Sequence, residues 1–497
     1  MGREQRQFVR GWRARVKVTA FRLLSHKVAA VCKNISGGGL LIEAMGPVPA
    51  GSAIRFEIVI PGIKAFAQTH GYAADRYMAD TFTASARILR ITPVQGGGFN
   101  LGVKFEGEYE LCLLLDAFVR ERSGPLTEVV SGPRVNFLPP AENDEISAAQ
   151  AVLAAGKALS GEKAAAFEKA FSSYISGGGA GRVCIAVNTA ESAFRLALEA
   201  VGVKDGDEVI LPANAAVSAA EALTDLRARP VLCDIDEHTG NIDPLKILAL
   251  ITPRTKAVIA AHFGGHPCDM EEITAIAAHS GLKVIEDASS CMPAEYKGRR
   301  AGTFGDISCF ALGSWLAPLA DVAILTTNNA KYAEFIRLSA AHGTEAGGNE
   351  AVVSGHDYRP SDIACAAALV RLGRADEMRT RRAAVAARYE NAFAAHRGAL
   401  VLGHVRTDRQ SGWQAYRIGV EKRGDLAEML ADNDIQTAFL PVPIYKQRFY
   451  REKYAYKDAD YPAAGKFYER GLLLPIHHAV TEEQADYVCR QVARHLQ

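Results

Sequence analysis

Two adjacent acids, Glu286 and Asp287, are the residues best placed to do chemistry in this chain. They end a short apolar run that is typical of a buried strand. An acid at the carboxyl end of such a strand lies where open α/β sheets hold their ligands. A basic turn is predicted next, at 296–300, and two further strands are predicted at 308–312 and 322–326. This stretch therefore predicts a ligand site at one edge of a sheet.

The same stretch resembles the DegT-type, StrS-like sugar aminotransferases, which are fold-type I enzymes that use pyridoxal phosphate (PLP). The motifs VIEDASS, YKGRR and GDISCF carry the resemblance. It implies that Asp287 holds the pyridine nitrogen of PLP. It also implies a Schiff-base lysine six residues after Phe310, where this chain has Leu316, and no lysine occurs between Lys297 and Lys331. Because a Schiff base requires an amine, we predict that the chain has no catalytic residue for transamination.

The resemblance implies that the phosphate grip of the family is lost as well. Relatives bind the PLP phosphate with a Gly-Thr pair at a helix N-terminus, where backbone N–H groups and the helix dipole favour an anion. This chain has Ala190 and Glu191 there. We expect Asn188 and Glu191 to form a pair that resembles a capping box, and we expect the Glu191 carboxylate to repel a phosphate.

Four further positions depart from the pattern of the family. They are the aromatic residue that stacks on the pyridine ring, the glutamine after the aspartate, a phosphate-binding serine and the asparagine that reaches the neighbouring subunit. The residues found there are Ala216, Ser290, Ala311 and Asp357. Only Asp287 remains of the vestigial PLP pocket, and we expect its carboxylate to cap a turn or to pair with Lys297 or Arg299. We therefore expect no bound cofactor.

A second group of candidate binding residues lies near the N-terminus. Arg6 and Arg10 precede a series of short β-rich runs, and Asn34, Ser36 and Gly39 follow at a turn. Alone, these would be a solvated basic tail and an ordinary glycine turn. Together they resemble the PilZ domain, a cyclic di-GMP receptor. Arginine binds phosphate and guanine edges bidentately, Asn and Ser can bond a base edge, and Gly allows close approach, so these five residues are predicted to bind cyclic di-GMP.

Length and patterning predict a multidomain chain, because 497 residues are too many to pack around one hydrophobic core. The fold class is a small antiparallel, PilZ-like β-barrel, then an α/β fold-type I aminotransferase-like domain with a mainly parallel sheet, then a small α+β domain. The resemblance to the DegT-type family extends over the last two. The predicted bounds are 1–122 for the barrel, 123–136 for a linker, 137–385 for the large domain and 386–497 for the C-terminal domain.

Composition narrows the classes of function. A net charge of +1 gives no argument for nucleic-acid binding. Nine scattered cysteines without Cys-x-x-Cys spacing indicate reduced thiols in a cytoplasmic protein and no zinc site. No apolar run reaches the ~18 residues of a membrane span.

Three functions are open at this stage. The first is a cyclic di-GMP receptor whose homodimeric pseudo-aminotransferase part binds a nucleotide-sugar or a protein partner in polysaccharide or envelope processes. The second is an active PLP-dependent sugar aminotransferase regulated by cyclic di-GMP, which would need a lysine from elsewhere. The third is a structural scaffold in which both ligand sites are dead. Absorbance of bound PLP separates the second from the first, and calorimetry with cyclic di-GMP separates the third.

Overall fold

The computed structural model describes residues 133–177, 181–312, 321–345, 348, 350–403 and 405–496, together with six strands between 20 and 105. The chain divides into two compact units, Met1–Val130 and Ser131–Gln497. The division falls inside the predicted linker. Val135 is fully buried, and its backbone N–H donates to the carbonyl of Asp434 at 3.0 Å. The end of the predicted linker is therefore already part of the second unit.

The described part of the first unit is an antiparallel sheet. Its strands are β1 (Ala20–Leu23), β2 (Ala30–Ser36), β3 (Gly39–Ala44), β4 (Ala53–Val59), β5 (Thr81–Val94) and β6 (Gly98–Phe105). Their order is β1-β4-β5-β6-β3-β2. Asn34 and Ser36 lie in β2, and Ser36 is in register with Gly39 at the start of β3. Arg6 and Arg10 lie outside the described residues, and closure into a PilZ-like barrel stays a prediction.

The second unit is built on a central seven-stranded sheet. The strands of this sheet are β7 (Val183–Val187), β8 (Glu208–Pro212), β9 (Arg229–Cys233), β10 (Thr255–Ala261), β11 (Lys283–Asp287), β14 (Ile307–Ala311) and β15 (Ala323–Thr327). Two short strands between β11 and β14, β12 (Glu295–Tyr296) and β13 (Arg299–Arg300), belong to a separate small sheet. Across the central sheet the order is β7-β15-β14-β11-β10-β8-β9. All pairs from β14 to β9 are parallel, and β15 is antiparallel to both neighbours. The predicted mainly parallel sheet is confirmed.

Helices cover both faces of this sheet, which explains why its strands are apolar at nearly every position. The helices of this part are α1 (Asn143–Ala154), α2 (Glu162–Ile175), α3 (Ala190–Ala200), α4 (Val217–Asp225), α5 (Pro244–Ile247), α6 (Met270–His279), α7 (Ala330–Ala340) and α8 (Asp362–Leu372). Ile285 of β11 and Cys309 of β14 belong to the core that includes α3 and α4. Val284 faces the opposite core, which includes α6. Side chains on β11 thus alternate between two helical layers.

The C-terminal part carries a small antiparallel sheet. Its elements are α9 (Ala375–Phe393), β16 (Val401–Leu402), β17 (Arg409–Gln410), β18 (Tyr416–Gly419), α10 (Arg423–Asp432), β19 (Ala438–Phe439), α11 (Arg448–Tyr454), α12 (Pro462–Arg470), β20 (Gly471–Leu474) and α13 (Glu482–His495). The sheet order is β16-β18-β20-β19, and β17 instead joins β12 and β13. Helix α9 runs without interruption through the boundary predicted at 385, so the backbone does not mark that boundary.

Candidate functional site

The candidate site lies at the carboxyl ends of β11 and β14, beside the start of α3. Asp287 is in register with Cys309 of the neighbouring strand. The Cys309 sulfur lies 3.7 Å from the carbonyl oxygen of Ala193, in the first turn of α3. Asp287 follows Ile285 by two residues and so points to the face that α3 covers. The fold thus brings Asp287, the end of β14 and the N-terminus of α3 to one edge.

Asp287 is 6% exposed. Its Oδ1 accepts a hydrogen bond from the backbone N–H of Ser289 at 3.1 Å. Burial raises the pKa of Asp287 above its ordinary value, and the hydrogen bonds from Ser289 offset this only in part. The expected turn cap is therefore present.

The predicted ion pair of Asp287 with Lys297 or Arg299 is wrong. Lys297 forms its salt bridge with Glu271. A guanidinium nitrogen of Arg299 donates to the carbonyl of Thr303 at 2.9 Å instead. Both basic residues are in the exposed turn between β12 and β14, while Asp287 is buried on the α3 face of the sheet. The carboxylate therefore has no basic partner among the described residues.

Glu286, one residue earlier, is surrounded by hydrogen-bond donors. Its carboxylate accepts hydrogen bonds from the backbone N–H groups of Gly302, Phe304 (2.9 Å) and Gly305 (3.0 Å) and from the Ser308 hydroxyl (3.1 Å). Burial alone would raise the pKa of Glu286, but the hydrogen bonds from His262, Gly302 and Gly305 hold it at about 2. Glu286 therefore fixes the turn after β13 and has no lone pair left for a ligand.

His262 completes this network, and sequence reasoning did not single it out. Its Nε2 lies 2.9 Å from Oε1 of Glu286, and its Nδ1 accepts the backbone N–H of Cys268 at 3.0 Å. Because Nδ1 is an acceptor, the ring proton lies on Nε2 and is donated to Glu286. A signal in the sequence was its position directly after the apolar run at 257–261.

The N-terminus of α3 differs from the expected arrangement. Thr189 is the N-cap, and its hydroxyl accepts the backbone N–H of Ser192 at 3.2 Å. The Ser192 hydroxyl donates to the Asn188 side chain at 2.7 Å. The predicted Asn188–Glu191 capping pair is therefore wrong, because the helix starts one residue later than that motif requires. Glu191 is exposed, and the described structure shows no hydrogen bond or ion pair for it.

A further acid lies close to Glu191. Burial, and after it the negative charge of Glu191, raises the pKa of Glu221 in α4. The start of α3 is thus lined by carboxylates, and one of its N–H groups is already bonded to Thr189. An incoming phosphate would meet like charges at the start of this helix.

The other predicted site residues are placed as follows. Ala216 is the N-cap residue of α4 and is exposed. Ser290 is half-buried, and the backbone N–H of Ala311, the last residue of β14, donates to the Ser289 hydroxyl at 2.9 Å. Leu316 lies outside the described residues, as does the segment 313–320 around it.

Asp357 does not add the free negative charge that the sequence led us to expect. Arg359 binds it through two guanidinium nitrogens at 2.8 and 2.9 Å. The hydrogen bonds from Arg359 hold the pKa of Asp357 at about 2. The charge of Asp357 is therefore offset locally by Arg359.

The described residues meet one of the PLP contacts that the resemblance implies. Asp287 offers the buried acceptor for a pyridine nitrogen. The Gly-Thr pair, the stacking ring and the serine that the resemblance implies are replaced by Ala190 and Glu191, Ala216 and Ala311, and the sequence has no lysine in the expected interval. These residues do not fit PLP held as in the aminotransferases that the chain resembles.

The mainly parallel seven-stranded sheet, its two helical layers and the acid at the end of β11 define an aminotransferase-like α/β protein. The chain belongs to the DegT/DnrJ/EryC1/StrS aminotransferase family, whose model matches residues 139–493.

Two of the similar proteins have names that refer to polysaccharides or sugars. The spore coat polysaccharide biosynthesis protein SpsC of Bacillus subtilis is 34% identical over 374 residues, which are 71% of this chain and 95% of the relative. The dTDP-3-amino-3,6-dideoxy-alpha-D-galactopyranose transaminase of Aneurinibacillus thermoaerophilus is 32% identical over 69% of this chain and 93% of its own. A crystal structure of DesV from S. venezuelae matches with a TM-score of 0.68 at 28% identity, covering 73% of this chain and 99% of DesV.

Two absences concern the described residues alone. None of their helices is long and apolar enough to cross a membrane. No group of three or more His, Cys, Asp or Glu side chains among them is arranged to hold a metal ion. The seven cysteines that the structure describes are all free and buried.

Proposed function

We propose that this chain binds a nucleotide-linked sugar at the edge of its central sheet and does not carry out PLP-dependent transamination. The observation that carries the proposal is Leu316 at the lysine position, in an interval without any lysine. Loss of the covalent bond coincides with loss of the phosphate contacts, and each charge-assisted hydrogen bond contributes ~1.5–3 kcal/mol. The fold of a sugar aminotransferase is retained, and sugar binding is the property of the fold that needs no lysine.

The proposal includes a signal-binding first unit in a cytoplasmic protein. Arg6, Arg10, Asn34, Ser36 and Gly39 bind cyclic di-GMP, and the second unit acts on polysaccharide or envelope assembly. What supports this is the order of the two short motifs and the position of three of these residues on adjacent strands β2 and β3. The second unit forms a two-fold homodimer, because the resemblance to fold-type I enzymes implies a pocket built at a subunit interface.

The test of the PLP part uses the purified full-length chain incubated with PLP. We expect no visible absorbance of covalently bound cofactor, no borohydride-reducible adduct and no transaminase activity. Leu316→Lys should not restore them, because Ala216 offers no stacking and Glu191 opposes the phosphate. Stoichiometric PLP bound by Leu316→Lys would show that the pocket is intact and lacks only its lysine.

The test of the signal site is calorimetry of the full-length chain with cyclic di-GMP. Arg10→Ala should abolish detectable binding, because removing a desolvated bidentate charge contact costs ~2–5 kcal/mol. Arg3→Ala, outside the arginine pair, is the matched control and should retain the wild-type affinity. Unchanged affinity in Arg10→Ala would refute the assignment.

The test of the dimer is light scattering at micromolar concentration. We expect the mass of two chains, with or without cyclic di-GMP, because the interface lies in the second unit. A single-chain mass would contradict this part of the proposal and leave the ligand assignments standing.

A second candidate is an active PLP-dependent sugar aminotransferase under cyclic di-GMP control. The comparisons favour it, since transaminases are among the relatives that match most of the chain. Asp287 is retained in the position that such an enzyme needs. It would require an amine from another part of the chain or from the partner subunit, and absorbance of bound PLP in the wild-type protein would establish it.

A further inference from the structure

A cleft of about 760 Å³ lies at the edge of the central sheet opposite the edge that carries Asp287. Asp287 is the last residue of β11, whereas Lys283, which lines the cleft, is the first residue of the same strand. The other walls come from the second half of α6, the turn 303–306 before β14 and residues 328–329 before α7. Small-molecule sites have volumes of roughly 300–1,000 Å³. The cleft is therefore large enough for a ligand, and it is separate from the edge that carries Asp287.

Arg182 is a buried cation in the wall of this cleft. It is 6% exposed, and its guanidinium donates to the hydroxyl and the carbonyl of Thr326 and to the carbonyls of Thr303 and Gly305 at 3.1–3.3 Å. All of these acceptors are neutral, and Arg182 forms no salt bridge with the described residues. The hydrogen bonds fix the position of the guanidinium and leave its charge without a counter-ion. Because a buried charge is costly unless it is paired, an anion in the cleft would stabilise Arg182.

The turn 303–306 brings two further basic residues close to Arg182. Arg299 and Arg182 donate to the same backbone carbonyl in this turn, at 2.9 and 3.3 Å. Lys283 pairs with Asp306 at 3.3 Å, one residue after another carbonyl that Arg182 binds. Three basic side chains thus meet at four consecutive residues.

Two acids oppose this positive charge. Asp306 lies in the wall of the cleft, where Lys283 offsets its charge. Glu286 is fully buried behind the turn and accepts two of the backbone N–H groups of the turn. Burial lowers the pKa of the Arg182 guanidinium below its ordinary value, and the charge of Glu286 opposes this shift. Three basic and two acidic side chains leave one net positive charge, so the cleft favours an anion.

We propose that this cleft binds a phosphate group, with Arg182 as its buried counter-ion and Lys283 as a second cation in the wall. Guanidinium and ammonium groups are the cations that proteins use for phosphate, which carries a charge near −2 at neutral pH. The exposed side chain of Asn328 adds an uncharged N–H donor. Free phosphate and a phosphate monoester present the same anion, and the experiment below distinguishes these two sources. The site goes beyond the proposed function, because it needs neither the edge that carries Asp287 nor the first unit.

The experiment is calorimetry of the full-length chain at low salt with three probes, which are inorganic phosphate, adenosine 5′-monophosphate (AMP) and adenosine. We expect both phosphate-bearing probes to bind and adenosine not to bind. Binding should weaken as salt is added, because the cleft is open to solvent and its charges are screened. AMP that binds tighter than inorganic phosphate by about threefold or more identifies an ester as the ligand, and smaller differences identify free phosphate. Either result supports the phosphate site.

The decisive variant is Ala278→Glu, which adds a carboxylate at an exposed position of α6 in the wall of the cleft. We expect it to weaken binding of both phosphate-bearing probes by about tenfold or more, because like charges then meet in the site. Ala278→Gln has nearly the same shape without the charge and should stay within about threefold of the wild-type affinity. Ala275→Glu adds the same charge to the same helix at an exposed residue outside the cleft, and it should change the affinity by less than about twofold.

A second variant and a fold check accompany this series. Lys283→Gln removes one cation from the wall and should weaken binding by about threefold to tenfold. Circular dichroism must show that each variant melts as a folded protein.

Four outcomes would overturn the proposal. Absence of binding by both phosphate-bearing probes removes the site altogether. Unchanged affinity in folded Ala278→Glu places the phosphate elsewhere on the chain. Equal weakening by Ala278→Glu and Ala275→Glu shows a response to overall charge and refutes the cleft as the site. Adenosine that binds as tightly as AMP shows that the phosphate group is not recognised.

Discussion

Glu286 and Asp287 are neighbours on one strand and both are buried, but their hydrogen-bond partners differ. On one face of the sheet, Glu286 is bonded to His262, to three backbone N–H groups and to the Ser308 hydroxyl. On the other face, Asp287 accepts a hydrogen bond from the backbone N–H of Ser289. Among the described residues, Glu286 therefore has many more hydrogen-bond partners than Asp287.

This difference indicates which of the two acids has a structural role. The network of Glu286 fixes the turn that follows β13. No comparable network surrounds Asp287 in the described part of the chain.

The largest effect on stability is expected when the hydrogen-bond network of Glu286 is disrupted. Glu286→Gln places an amide where four donors and His262 point, so buried N–H groups face an NH₂ and lose their acceptor. Because each buried donor left unsatisfied costs ~1–3 kcal/mol, we expect the unfolding free energy to fall by ~3–5 kcal/mol. Urea unfolding followed by circular dichroism measures it. A loss below ~1 kcal/mol would mean that the network relaxes and does not hold the turn.

The pH dependence of stability tests the same region without a mutation. The pKa of Glu286 is about 2 in the folded protein against 4.5 ordinarily. Its contribution is therefore fully present above pH 4.5 and is lost as the pH falls toward 2, a loss of about 3 kcal/mol. Wild-type protein should lose more stability over this window than Glu286→Gln does. Parallel curves for the two proteins would contradict the assigned cause.

Asp287→Asn should have a small effect of the opposite sign. Burial raises the pKa of Asp287 in the folded state, so its ionisation costs stability as the pH rises above the ordinary value of 3.8. At neutral pH the amide removes that cost, and we expect stability to be unchanged or to rise by up to ~1 kcal/mol. Thermal unfolding of the ligand-free variant checks this, and a loss above ~1 kcal/mol would show that Asp287 is a structural residue like Glu286.

The smallest effect is expected at the exposed pair of Asp357 and Arg359. Arg359→Gln removes a bidentate contact that solvent screens, so the unfolding free energy should change by less than ~1 kcal/mol. The change should shrink further at high salt. Unfolding at two salt concentrations measures this change in free energy. A larger, salt-independent loss would show that Asp357 has a structural role like that of Glu286.

Much of the second unit was predictable because its signals are local. The apolar runs at 209–211, 231–233, 257–261 and 283–285 lie inside β8, β9, β10 and β11, since buried parallel strands are short and continuously apolar. The strands predicted at 308–312 and 322–326 are each displaced by one residue from β14 and β15. Strand ends shift in this way because pairing with neighbours, and not apolarity, decides the last residue.

The site was predicted less completely, because its hydrogen bonds connect distant residues. The cap of α3 is Thr189 and not Asn188, a difference of one residue that depends on where β7 ends. The partner of Lys297 is Glu271 in α6, which no spacing rule in the sequence indicates. Such pairs form only after helices and strands have packed.

The sequence by itself determined that Leu316 offers no amine, that an acid pair ends a strand, and that the strands alternate with helices. These follow from the chemistry of single residues and from short-range patterns. Only the tertiary structure decided which of the two acids is satisfied. Consecutive side chains of a strand point to opposite faces, and the donors of Glu286 come from His262 and from residues 302–308, which folding alone brings beside it.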